Sequence, residues 1–139
     1  MGQDKLELKS MEQKDIKLLL VDDEPMLRDL YEHAFRLRGY HIDTAIDGQD
    51  AVDKLEKMDE LPVLIMLDLM MPRMTGFDVL NYIKNSEKFK NIKVVMLTSL
   101  PDPEALEKAI RLGALGCLIK SENEPREVVE KVEAMMSEK

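Results

Sequence analysis

Cysteine occurs once in the chain, at Cys117, so no internal disulfide can form. No apolar run approaches the roughly 20 residues of a membrane span. The opening stretch, MGQDKLELKSMEQKD, lacks the apolar centre of a secretory signal. Gly2 follows Met1, but position 6 is Leu6 and not Ser or Thr, so the N-myristoylation pattern fails. Positive charge is in short supply: 20 Lys and Arg face 28 Asp and Glu, for a net charge of −8. A chain this acidic is a poor general ligand for nucleic acid, whose phosphates need neutralisation by Lys or Arg. It has no electrostatic attraction to anionic lipid either. The expectation is a cytoplasmic protein that binds neither nucleic acid nor membrane. Internal repeats and low-complexity segments are also absent.

What is present suits one domain. The 139 residues are 45% apolar, enough to bury one core. Residues 1–15 are polar and charged, and read as a mobile tail ahead of a domain over 16–139. Four short apolar runs then follow: IKLLLV (16–21), LPVLIML (61–67), IKVVMLT (92–98) and LGCLIK (115–120). A weaker alternating run, YHIDTA, covers 40–45. Continuous apolar runs of this length fit strands buried on both faces, as in a parallel sheet.

Helical periodicity fills the gaps. Over Pro25–Arg38, the residues Leu27, Leu30, Tyr31, Ala34 and Leu37 repeat at helical spacing, and Gly39 stops the helix. Asp47 is placed to cap a helix over 48–58 with Ala51, Val52, Leu55 and Met58 inward. Thr75 or Gly76 opens the next, with Phe77, Leu80 and Ile83 inward. Asp102 and Pro103 start a fourth, burying Ala105, Leu106, Ala109 and Ile110 and ending at Gly113. Pro125 starts the last, with Val128, Val129, Val132, Met135 and Met136 on one face. Strand and helix alternate five times. Right-handed crossovers then give an α/β fold of the doubly wound, flavodoxin-like kind, a five-stranded parallel sheet with helices on both faces.

Ligands of such sheets bind beyond the carboxyl ends of the strands. There the sequence sets Asp22 and Asp23, Asp68, Thr98 and Lys120, drawn from four strands. Crowded carboxylates repel one another, and a divalent cation relieves the conflict. Mg²⁺, with Mn²⁺ as the alternative, suits a few hard carboxylate and carbonyl oxygens. Cation, ammonium and hydroxyl together would clamp an oxyanion such as a phosphoryl group. A carboxylate can accept that group as an aspartyl phosphate. His33 and His41 have no partner pattern and read as structural or surface residues.

The motifs LLLVDDEP, LIMLDLMMPRMTG, VVMLTS and GALGCLIK, in this order and each at a strand end, resemble those of bacterial response-regulator receiver domains. Within that family the chain resembles stand-alone, chemotaxis-regulator-like members of two-component pathways. The resemblance implies roles residue by residue. Asp68 matches the phosphoacceptor. Asp23 and Asp68 match direct metal ligands, Asp22 a holder of metal-bound water, and the Met70 carbonyl a backbone ligand. Thr98 and Lys120 match the groups that bind phosphoryl oxygens. Pro72 and Gly76 match the turn that shapes the acceptor loop. The donor would be a phosphohistidine on a sensor histidine kinase or a histidine phosphotransfer protein, and output would pass through contacts with a downstream protein target. Donor or target is expected on the first helix, with Met26, Asp29 and His33 outward. The protein is then a signalling switch that promotes its own phosphorylation, not an enzyme. Two alternatives stay open: a relay intermediate that passes the group to a second histidine protein, and a weakly switching scaffold.

Some positions depart from the pattern the resemblance sets. The switch position three residues before Lys120, commonly Tyr or Phe in the family, is Cys117, a small half-buried filler. Coupling of Asp68 phosphorylation to the surface of the fourth helix, fifth strand and fifth helix is therefore expected to be weaker or differently routed. Ser121 stands where the family usually has Pro. A cis bond without Pro costs roughly 2.5–4 kcal/mol, so a trans Lys120–Ser121 bond is expected. Met70 and Leu100, each two residues beyond a site residue, are apolar and cannot orient an attacking water. Slow self-dephosphorylation is the expectation.

Overall fold

The computed structural model describes residues 15–99 and 101–137. The expected N-terminal tail, apart from Asp15, and Leu100 lie outside them. Five strands alternate with five helices: β1 Lys17–Val21, α1 Pro25–Leu37, β2 His41–Ala45, α2 Gly48–Lys57, β3 Leu64–Asp68, α3 Gly76–Lys84, β4 Lys93–Thr98, α4 Pro103–Arg111, β5 Gly116–Ile119 and α5 Pro125–Ser137. A short 3-10 turn over Lys120–Glu122 separates β5 from α5. Among the described residues no helix is long and apolar enough to cross a membrane.

All strand pairs are parallel and run β2-β1-β3-β4-β5 across the sheet. The fold is the flavodoxin-like arrangement that the alternating runs predict. The strand starts are trimmed relative to the apolar runs. β3 begins at Leu64, two residues after Pro62, which lacks the N–H that a central ladder needs.

Alternate residues of each strand face opposite layers. Leu19, Val21, Ile65, Leu67, Val94 and Met96 meet Ala51, Leu55, Val79, Leu80, Ile83 and Ala109 of α2, α3 and α4. Leu18, Leu20, Leu64, Met66, Val95 and Leu97 meet Tyr31, Phe35, Val128, Val129 and Val132 of α1 and α5. Both faces of the central strands are thus buried, which explains their unbroken apolar sequences.

Two helix faces differ from the reading of the sequence. On α1, Leu30 and Leu37 are exposed, and Phe35 is buried in their stead. Phe35 stacks edge-on against Tyr40 with centroids 5.8 Å apart, and both rings lie in the core on the α1 side of the sheet. Met26, Asp29 and His33 face outward, as expected. On α4, Ala109 is buried, but Ile110 is exposed and Ala105 and Leu106 are half-buried. This helix is only nine residues long and presents a narrow contact. Phe77 of α3 is half-buried too, with the Lys108 ammonium 4.4 Å above its ring.

Candidate functional site

Register decides which side chains meet. Val21 lies opposite Leu67, so Asp22 emerges beside Asp68. Asp68 lies opposite Leu97, so Thr98 is one step further along the same edge. Thr98 lies opposite Ile119, so Lys120 is the next residue out on the neighbouring chain. β1 and β3 are adjacent, yet the chain leaves β1 toward β2 on the other side. Asp22 and Asp68 therefore flank the point where the strand order reverses, where open α/β sheets form their crevices.

The residues drawn together are unusually dry for their chemistry. Asp22 and Thr98 are fully buried, Asp68 is 3% exposed and Lys120 is 8% exposed. Asp23 is half-buried. Lys120 Nζ donates to Asp68 Oδ2 at 3.2 Å and reaches Glu24 Oε1 at 3.5 Å. It meets Asp22 Oδ2 at 2.9 Å as an ion pair, off hydrogen-bond alignment. Asp22 Oδ2 is consequently a buried oxygen with no hydrogen-bond partner among the described residues. Its Oδ1 accepts the Glu24 N–H at 2.9 Å, and Arg28 holds the Asp22 carbonyl at 2.8 Å.

Charge and burial work against each other here. Burial pushes the Asp68 carboxyl up to about 7. The adjacent Lys120 ammonium pulls it down, and the Asp22 charge adds to the rise. Lys120 shows the reverse balance. Burial is the largest single influence and pulls its ammonium down, but Asp22 and Asp68 together outweigh it, and the net direction is up. One ammonium thus stands between carboxylates that cannot all be comfortably ionised.

The acceptor loop is built by close approach. Met70 N–H donates to Asp68 Oδ1 at 3.2 Å, while the Met70 side chain is exposed. Gly76 N–H donates to the Leu69 carbonyl at 3.0 Å. A Cβ at Gly76 would lie 2.5 Å from the Asp68 carbonyl oxygen and 2.8 Å from the Leu69 Cα, so only glycine fits beneath this strand end. Thr75 caps α3 with a capping box shared with Asp78, fixing where the loop ends. Pro72 is exposed within the loop, followed by Arg73 at φ 67°.

Cys117 is half-buried beside α4, its thiol 3.9 Å from the Leu106 carbonyl. Burial pushes the thiol up, away from the reactive thiolate. A depression of about 550 Å³ adjoins it, lined by Leu106, Glu107, Ile110 and Arg111. The Lys120–Ser121 bond is trans, as the absence of proline implies.

The sequence reading passes over Glu24. Its carboxylate belongs to a group with Asp22, Asp23 and Asp68 whose oxygens lie within 4.8 Å of one another. The signal was present as the third acid in Asp22-Asp23-Glu24, but a residue at a helix start is ordinarily a surface charge. Asp22, Asp23, Glu24 and Asp68 offer hard oxygens, one of them buried without a hydrogen-bond partner among the described residues, and this donor set fits a divalent cation such as Mg²⁺.

Known proteins carry the same frame. The sequence matches the family described as the response regulator receiver domain over residues 18–133. It is 36% identical over 120 residues to the transcriptional regulatory protein CpxR homolog of Haemophilus influenzae, covering 86% of this chain and 50% of that protein. It is 34% identical over 105 residues to the chemotaxis protein CheY of Treponema pallidum, covering 75% of this chain and 72% of that one. The chain spans about half the length of the transcriptional regulators it matches. The solved structure of the chemotaxis response regulator CheY4 of Vibrio cholerae superposes with a TM-score of 0.78 at 30% identity, covering 86% of this chain and 98% of that one. With the family matched from β1 into α5 and the fold shared with a chemotaxis regulator, the chain belongs to the response regulator receiver domain family.

Proposed function

We propose that this receiver domain is a Mg²⁺-dependent phosphorylation switch, with Asp68 as the residue that accepts the phosphoryl group. The observation that carries the reading is the position of Asp68: a buried carboxylate at the strand-order reversal, hydrogen-bonded to a buried ammonium and grouped with three further acids. Asp22, Asp23 and Asp68, with the Met70 carbonyl, would hold the cation. Bound there, Mg²⁺ supplies positive charge against the carboxylates and the phosphoryl oxygens.

The chain's own groups have definable parts. An Asp68 oxygen attacks phosphorus, the new O–P bond forms, and the N–P bond of the donor phosphohistidine breaks, its electron pair staying on the imidazole. Attack needs the ionised carboxylate, and Lys120 favours that form by direct hydrogen bonding. As Asp68 becomes an acyl phosphate, Lys120 can turn its ammonium to a phosphoryl oxygen, and the Thr98 hydroxyl offers a second donor from the adjoining strand. Burial keeps competing water away from the strand end. The exposed Met70 side chain has no group to hold a water for attack on phosphorus, which supports a long-lived acyl phosphate.

The donor is read as a sensor histidine kinase or histidine phosphotransfer protein, and the output as binding to a protein target. Incubation with acetyl phosphate and Mg²⁺, followed by intact-protein mass spectrometry, tests the reading. Wild type gains one phosphoryl group, while Asp68→Asn and magnesium-free wild type gain none. A gain that survives Asp68→Asn removes Asp68 as acceptor.

A further inference from the structure

Three helices here start with a side chain that caps them. Asp47 accepts from the Asp50 N–H, Thr75 from the Asp78 N–H and Asp102 from the Glu104 N–H. Glu24 occupies the same position at α1 in extended conformation, φ −91° and ψ 107°, yet makes no side-chain cap. Glutamate is a poor choice there, because Asp, Asn, Ser and Thr reach the first-turn amides far better. Pro25 at the first helical position leaves one fewer amide to satisfy. The Glu24 carboxylate instead turns into the acid pocket, with Oε1 3.5 Å from Lys120 Nζ. Its backbone N–H is anchored to Asp22 Oδ1. A local rule broken at the mouth of a site, with the freed side chain pointing at the Lys120 ammonium, indicates a role there.

We propose that Glu24 is a positioning residue that draws the divalent cation into the pocket and competes with the phosphoryl group for Lys120, a role that rests on the phosphorylation-switch reading above. Asp22 and Asp68 are buried, whereas the Glu24 side chain is half exposed. Its charge adds to the attraction for a cation and to the repulsion of an anionic group on Asp68. While Lys120 is shared with Glu24, less of its charge is available to a phosphoryl oxygen. One carboxylate therefore acts in opposite directions on the two ligands. A merely structural residue, whose loss loosens the whole pocket, would weaken both.

The test uses the full chain. Calorimetric titrations follow Mg²⁺ alone, then beryllofluoride at saturating Mg²⁺, for wild type, Glu24→Gln and Glu24→Asp, with thermal melts to check folding. Glu24→Gln is expected to bind Mg²⁺ about three- to tenfold more weakly and beryllofluoride about three- to tenfold more tightly. Glu24→Asp keeps the charge but is one methylene shorter and suits the helix cap. It is expected to retain most of the Mg²⁺ affinity while gaining beryllofluoride affinity. Unchanged constants in Glu24→Gln, or both constants moving the same way, overturn the proposal. Wild type that binds neither ligand overturns the underlying switch reading itself.

Discussion

Lys120 Nζ lies 3.2 Å from Asp68 Oδ2, with the lysine side chain 4% and the aspartate side chain 3% exposed. The buried ammonium also meets Asp22, so removing it leaves two buried carboxylates without their cation. Lys120→Met is expected to lower stability by about 2–4 kcal/mol without divalent cation, partly relieved by protonation of Asp68. Millimolar Mg²⁺ should restore much of the loss, because a cation in the pocket replaces the missing charge. Thermal melts of wild type and variant, with EDTA and with Mg²⁺, check this. A loss that Mg²⁺ leaves untouched would mean that the acids do not form a cation pocket.

Asp68 predicts a pH dependence of known sign. Its folded pKa, about 7, lies above the ordinary carboxylate value of 3.8, so the folded state binds the proton more tightly than the unfolded state. The stability this group contributes is fully present below the unfolded value and is lost as pH rises from about 4 through about 7. Asp68→Asn removes that loss. In the absence of divalent cation, the variant should exceed wild type by on the order of 2 kcal/mol at pH 8, and by much less at pH 4. Urea unfolding at the two pH values measures the difference. An equal gain at both would place its cause outside the titration of Asp68.

Gly76 makes a steric prediction. A methyl group there would press on the Asp68 carbonyl and the Leu69 Cα, both backbone atoms that cannot turn aside. Gly76→Ala should therefore displace the strand end that carries Asp68. The expected cost is about 1–3 kcal/mol, as for other overpacked sites, with slower phosphorylation by acetyl phosphate. Denaturant midpoints and time courses of mass gain test both parts. A stable variant with normal phosphorylation would show that the loop tolerates the shift.

These relationships differ in how far the sequence reveals them. Four apolar runs and one weaker alternating run, with a helix pattern after each, point to a parallel sheet, and the acids at the ends of β1 and β3 follow directly. Asp22, Asp68, Thr98 and Lys120 are legible because register in a parallel sheet carries equivalent strand ends to one edge. Glu24 is not, because its role depends on a side-chain direction that competes with helix capping, and both alternatives use the same residue. Leu30 and Phe35 illustrate another limit. Phe35 lies one turn beyond the buried Tyr31 and packs on Tyr40, while Leu30 falls a quarter-turn off that stripe and is exposed.

Cys117 offers a prediction about coupling. Its thiol leaves room where the family commonly places a ring, and the depression of about 550 Å³ beside α4 adjoins it. With no ring to move, changes at Asp68 have a weaker mechanical route to α4. Cys117→Tyr supplies a large side chain at this position, next to Leu106 and Ile110. In wild type, beryllofluoride with Mg²⁺ should shift amide resonances strongly around Asp68 and Thr98 but weakly over residues 105–117. In Cys117→Tyr the strong shifts should extend into α4, with beryllofluoride affinity changed by less than about threefold, because the ring lies outside the pocket. Large shifts across α4 in wild type would show that Cys117 already transmits the change, and that the missing ring does not limit the switch.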